Sequence, residues 1–162
     1  MADATTSPLR VRADGKFFRV GDQKFYVKGV GYGPFAPGPD DCLPPPAEAR
    51  ADLVRIAELG ANVIRVYTAP PRWLLDLAAE HGLRLLVDIP WPKNRCFLDS
   101  ARRRQEAREA VLGTVRACAG HPAVFAFSVV NEIPPDIVRW SGPQQVTAFI
   151  EELVDVVRER VG

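Results

Sequence analysis

The chain has 162 residues, 21 basic and 20 acidic side chains and a formal net charge of +1. A domain of that size buries roughly two-thirds of its unfolded surface, and so balanced a charge sets up no field that would favour nucleic acid or an anionic bilayer. No apolar run approaches a membrane span, the N-terminus lacks a basic region followed by an apolar one, and Cys42, Cys96 and Cys118 lack metal-ligand spacing. The composition therefore predicts a cytoplasmic chain with reduced thiols, no metal, no cofactor, and neither nucleic acid nor membrane as a partner.

Residues 1–8 read as a loose tail and 9–162 as the folded domain. Short alternating runs predict strands at Leu9–Val11, Phe17–Val20 and Phe25–Val30, a hairpin leading into a first core strand. Gly31 to Pro46 is too rich in Gly and Pro for regular structure and is expected to be a long loop.

A strand–helix rhythm follows. Ala47–Leu59 is a predicted helix closed by Gly60, Val63–Tyr67 a strand, Pro71–His81 a helix closed by Gly82, and Leu83–Ile89 a strand. Ala101–Cys118 is a helix closed by Gly120, with Cys118 on its core face. Arg102, Arg103 and Arg104 stand one turn from Glu106 and Glu109, the pattern of a solvated, ion-paired face. Val124–Val130 is rich in β-branched and aromatic residues and suits a strand buried on both faces. Asn131 and Glu132 end it, and Pro134 and Pro135 are expected to exclude both further pairing and an immediate helix. Gln144–Val161 is the last helix.

Repeated strand–helix units imply a parallel sheet with right-handed crossovers. The predicted fold class is α/β: a partial (β/α)₈ TIM barrel, its first four βα units preceded by a β-hairpin. A full barrel takes about 250 residues, so the remaining half, or a homodimer partner, is expected to complete it. A doubly wound sheet with helices on both faces fits the same periodicity.

Consecutive strands carry Arg65, Asp88 and Glu132 near their carboxyl ends, where α/β barrels keep their catalytic groups. Small residues share the predicted side of Glu132 (Ala126, Ser128) and large ones the other (Phe125, Phe127), as a narrow lumen requires. Tyr32, Tyr67, Trp91 and Trp140 are candidates for stacking on a sugar, or else rings that pack beneath loops; Trp73 reads as core. Gly29–Gly33 lacks the required spacing of the third glycine and runs into prolines instead of the helix of a phosphate loop. His81 and His121 lack ligand spacing.

The segment Gly60–Arg65, the strand Leu83–Asp88 and the run from His121-Pro122 to Asn131-Glu132 resemble clan A retaining glycoside hydrolases, as does Phe25–Gly33. With Pro71–Asp76 and Glu132-Ile133-Pro134, the set is similar to bacterial barrels fused to a family-two glycosyltransferase. The resemblance implies a carbohydrate substrate of β-glucan type, with Glu132 as acid/base, Asn131 bonding the sugar 2-hydroxyl and Arg65 supporting the nucleophile. Such an enzyme needs two carboxyl groups about 5–5.5 Å apart, and burial raises the pKa of the acid. In that group the nucleophile is a Glu on the seventh strand, beyond this sequence. Asp88 either serves as the second carboxylate, or anchors a loop, or pairs with Arg65. The alternative to an enzyme is a non-catalytic carbohydrate-binding module, accessory to a glycosyltransferase.

Overall fold

The computed structural model describes residues 10–37 and 42–161. The expected tail 1–8 and the tip of the proline-rich loop lie outside the described residues. The chain opens as a three-stranded antiparallel sheet of β1 (Val11–Asp14), β2 (Phe17–Val20) and β3 (Gln23–Phe25). It continues as a four-stranded parallel sheet of β4 (Gly29–Gly31), β5 (Val63–Val66), β6 (Arg84–Asp88) and β7 (Val124–Ser128), in that order. The connections carry α1 (Pro46–Glu58), α2 (Arg72–Glu80) and α3 (Ala101–Cys118), the last preceded by a 3₁₀ turn at Phe97–Asp99; α4 (Pro135–Ser141) and α5 (Pro143–Val161) follow β7.

Local chemistry sets the boundaries. Pro46 opens α1, where its missing N–H costs no bond. Gly60 and Gly82 sit at φ +80° and +68° just past α1 and α2, a conformation with little steric cost only for glycine. Ser100 caps α3 by accepting from the Arg103 amide. Arg102 then pairs with Glu106 as expected, whereas Arg103 and Arg104 turn back to the carbonyls of Cys96 and Leu98.

Three expectations are corrected. The single strand expected over Phe25–Val30 is two, because the Asn62 side chain accepts from the Lys28 amide and donates to the Tyr26 carbonyl, holding that stretch out of either sheet. The strand expected to run to Val130 stops at Ser128, whose hydroxyl donates to the Val130 carbonyl and curls the chain away from the ladder. The helix excluded after Pro134 exists: Pro135 occupies the first helical position of α4, where proline is pre-organised rather than disruptive.

The parallel sheet has two unlike faces. Ile64, Val66, Leu85 and Val87 are fully buried against Leu53 of α1, Leu74 and Leu77 of α2, and Cys118 of α3. Burial pushes the Cys118 thiol up to about 11, as befits a core rather than a reactive cysteine. On the opposite face the register aligns Gly31, Arg65, Leu86 and Ala126 in one row, and these are half-buried or exposed. Among the described residues helices thus cover one face, and the doubly wound arrangement is not found. A second core joins α3 and α5 through Val111, Val115, Phe149 and Leu153. The antiparallel sheet closes the amino end of the uncovered face: Phe18 meets Phe125 edge-on at 5.0 Å, and the Arg84 guanidinium lies 5.8 Å from the Phe25 ring.

Candidate active site

Arg65 is the third residue of β5 and pairs across the sheet with Leu86, which places Asp88 one rung further toward the carboxyl end of β6, on the same face. The two meet there. Arg65 Nε donates to both Asp88 oxygens at 3.2 and 3.1 Å, and Nη2 donates to Oδ2 at 2.7 Å. The Asp88 side chain is 6 % exposed and that of Arg65 34 %. Asp88 is therefore a fixed anchor for the guanidinium. Hydrogen bonding to Asp88 raises the Arg65 pKa above its ordinary value against a smaller opposing effect of desolvation, and the charges of Asp88, Tyr67 and Glu132 add to the rise. The guanidinium also lies 5.3 Å from the centre of the Tyr67 ring. Gly31 makes room for that ring, since a Cβ there would stand 3.2 Å from the Tyr67 hydroxyl.

Beside this pair is a groove of about 420 Å³, lined by Tyr67, Asp88, Trp91, Lys93 and Asn131 together with Ile89 and two prolines. Trp91 donates its indole N–H to the Val129 carbonyl at 2.7 Å, which fixes the turn leading to Asn131. Glu132 follows at φ +50°, a left-handed conformation that costs a non-glycine residue about 1–3 kcal/mol and tends to occur at functional sites. Its side chain is exposed yet close enough for its charge to act on Arg65. The resemblance implies a buried acid at this position. The early exit of the chain at Ser128 carries it outward instead, so desolvation is not supplied by the described residues.

The structure thus brings Tyr67, Asp88, Trp91 and Asn131 into one groove and links Arg65 and Glu132 to it by charge. Two stacking candidates fall elsewhere. Tyr32 is 5 % exposed, meets Phe35 edge-on at 4.9 Å and donates to Asp52 at 3.2 Å, so its ring is core and not a sugar platform. Trp140 lies on α4, 72 % exposed. Trp91 is 7 % exposed and packs against Phe97 and Phe149; only a margin of its ring reaches the groove. Lys93 is a groove residue that periodicity could not flag, although its place after Pro-Trp-Pro at a strand end was a usable signal. His121 is buried: its Nδ1 accepts from the Ala123 amide at 3.1 Å, which leaves Nε2 to donate to Asp76 at 2.9 Å. Among the described residues no three His, Cys, Asp or Glu side chains converge as metal ligands, and no helix is long and apolar enough to cross a membrane.

A parallel sheet covered by helices on one face is a mixed α/β fold, and solved glycosidase structures share it. The β-glucuronidase of Bifidobacterium dentium superposes with a TM-score of 0.76 at 20 % identity, over 93 % of this chain and 24 % of that one. The profile of the glucanosyltransferase family, glycoside hydrolase family 72, matches residues 1–161, and the chain belongs to that family. The 1,3-beta-glucanosyltransferase gel1 of Aspergillus fumigatus is 30 % identical over 165 residues, covering 95 % of this chain and 35 % of the relative. GAS5 of Saccharomyces cerevisiae, another 1,3-beta-glucanosyltransferase, is 21 % identical over 98 % of this chain and 34 % of its own length. The chain spans about a third of the curated relatives it matches.

Proposed function

We propose that this chain supplies the acid/base half of a retaining site that cleaves and re-forms β-1,3-glucosidic bonds. Glu132 protonates the departing glycosidic oxygen and then deprotonates the acceptor hydroxyl, whether of water or of a second sugar chain. Asn131 bonds the 2-hydroxyl of the sugar in the groove. Arg65, held by Asp88, directs its remaining exposed N–H groups at the nucleophilic carboxylate and keeps it ionised. The observation that carries this reading is the placement of Asn131 and Asp88 in one groove, with Arg65 bound to Asp88 and under the charge of Glu132.

The nucleophile belongs to a further part of the barrel. Among the described residues β7 pairs only with β6, and an apolar groove of about 400 Å³ runs along its free edge, between Phe125, Phe127, Val157 and Val161. An open, apolar strand edge invites another strand, and helices on one face only are the layering of a barrel segment. We therefore read the fold as a partial barrel completed there by its second half. The second carboxylate arrives with that half, and desolvation of Glu132 comes with closure.

A second reading has its own support. Asp88 is fully engaged by Arg65, so Glu132 is the free carboxylate at this mouth among the described residues. A module of this kind binds glycan without cleaving it, in the service of a fused or partner glycosyltransferase. The test is to incubate the 162-residue chain with β-1,3-linked glucose oligomers and with an aryl β-glucoside. The expected result is saturable binding without product. Turnover that Glu132→Gln abolishes would show that the chain already holds both carboxylates.

A further inference from the structure

Trp140 and Asp99 form a feature that the groove chemistry leaves unused. Trp140 is 72 % exposed, although a tryptophan normally covers most of its large apolar surface. The ring is not loose. Its indole nitrogen lies 3.3 Å from each carboxylate oxygen of Asp99, and Asp99 ends the 3₁₀ turn whose Phe97 is locked in the core against Trp91 and Phe149. Ile137, three residues before Trp140, anchors α4 in the same core. An exposed ring is thus held from both sides, and Phe97, two residues before Asp99, packs on Trp91, a wall of the groove.

The neighbourhood does not suit a protein partner. Asp136 and Arg139 beside Trp140 are exposed and charged, so the ring stands alone and not within an apolar patch of interface size. A lone flat ring beside a hydrogen-bond acceptor suits the apolar face of a pyranose instead. The indole N–H is already given to Asp99, which leaves the ring to contribute its face alone. The carboxylate keeps spare lone pairs for sugar hydroxyls and repels acidic sugars.

We infer that Trp140 and Asp99 form an outlying subsite for a neutral, hydroxyl-rich glucan chain whose inner residues occupy the Asn131 groove. This rests on the glucan reading of that groove and adds a chain-length requirement: only oligomers long enough to leave the groove and cross α4 engage the ring.

Acrylamide quenching of tryptophan fluorescence tests it, because Trp91 is buried and Trp73 half-buried, leaving Trp140 as the most accessible ring. Long neutral β-1,3-linked glucose oligomers should shield the protein from quencher, and disaccharides should not. Trp140→Ala should remove the shielding and weaken long oligomers about five- to tenfold, with disaccharide binding unchanged; Trp140→Phe should restore most of the loss. Asn131→Ala should weaken both lengths. If Trp140→Ala leaves long-oligomer affinity intact while Asn131→Ala lowers it, the subsite is refuted and the groove stands. If the wild-type chain binds no such oligomer, both readings fall. Equal shielding by a uronic acid oligomer of the same length overturns the assignment to neutral glycans.

Discussion

Replacing Arg65 by Met and Asp88 by Asn should have very different consequences, although the two residues make the same hydrogen bonds. The Asp88 side chain is 6 % exposed and that of Arg65 34 %. Removing one partner of a buried ion pair costs about 3–5 kcal/mol, because the other charge is left without water or counter-charge. Arg65→Met leaves Asp88 in that position and should cost about 3 kcal/mol or more. In Asp88→Asn the guanidinium that remains is a third exposed and recovers part of its hydration, so the discounted cost is about 1–2 kcal/mol. The double variant Arg65→Met/Asp88→Leu removes both charges and should be no worse than Asp88→Asn. Urea denaturation followed by far-ultraviolet circular dichroism resolves these values: with a slope of about 2 kcal/mol/M, a 3 kcal/mol loss moves the midpoint by about 1.5 M. A cost for Asp88→Asn equal to or above that of Arg65→Met would refute the claim that Asp88 is the buried anchor and Arg65 its more solvated partner.

Two further predictions concern backbone strain and pH. Because Glu132 sits at φ +50°, Glu132→Gly should be more stable than Glu132→Ala by about 1 kcal/mol, the reverse of the usual order, as thermal melts of the two variants would show. Hydrogen bonding to Arg108 lowers the Glu152 pKa from its ordinary value, against a smaller effect of desolvation, and ties α3 to α5. Since the folded value lies below the unfolded one, this stabilisation is full above about pH 4.3 and is lost as the pH falls through the lower folded value. Glu152→Gln should therefore reduce stability at pH 7 and flatten its fall on the acid side, and an unchanged acid limb in denaturation curves would contradict the assignment.

Much of this fold is legible in the sequence because its signals are local. The apolar periodicity of 101–118, the β-branched run at 63–66 and the glycines after α1 and α2 each fix an element without reference to the rest of the chain. The expected convergence of Arg65, Asp88 and Glu132 at one sheet end is met by Arg65 and Asp88, which bond directly, whereas Glu132 is exposed. What escapes local reading is set from a distance. Tyr26-Val27-Lys28 has strand propensity, but Asn62, more than 30 residues later, claims its backbone groups. Trp91 looks like a rim aromatic until Phe97, Phe149 and the Val129 carbonyl engage it. Tyr32 likewise is settled by Asp52 on α1. Glu132 is exposed where β7 ends two residues early, at Ser128, whose hydroxyl donates to the Val130 carbonyl.

The claim on which the functional account depends is that sugar enters the mouth shared by Arg65, Asp88 and Asn131. Amide chemical shifts of the isotopically labelled chain, followed by nuclear magnetic resonance during titration with β-1,3-linked glucose oligomers, test it most directly. Saturable shifts concentrated at residues 65–67, 88–93 and 129–133 are expected, abolished together by Asn131→Ala. Shifts confined to other parts of the chain, or shifts at these positions that survive Asn131→Ala with undiminished affinity, would contradict it.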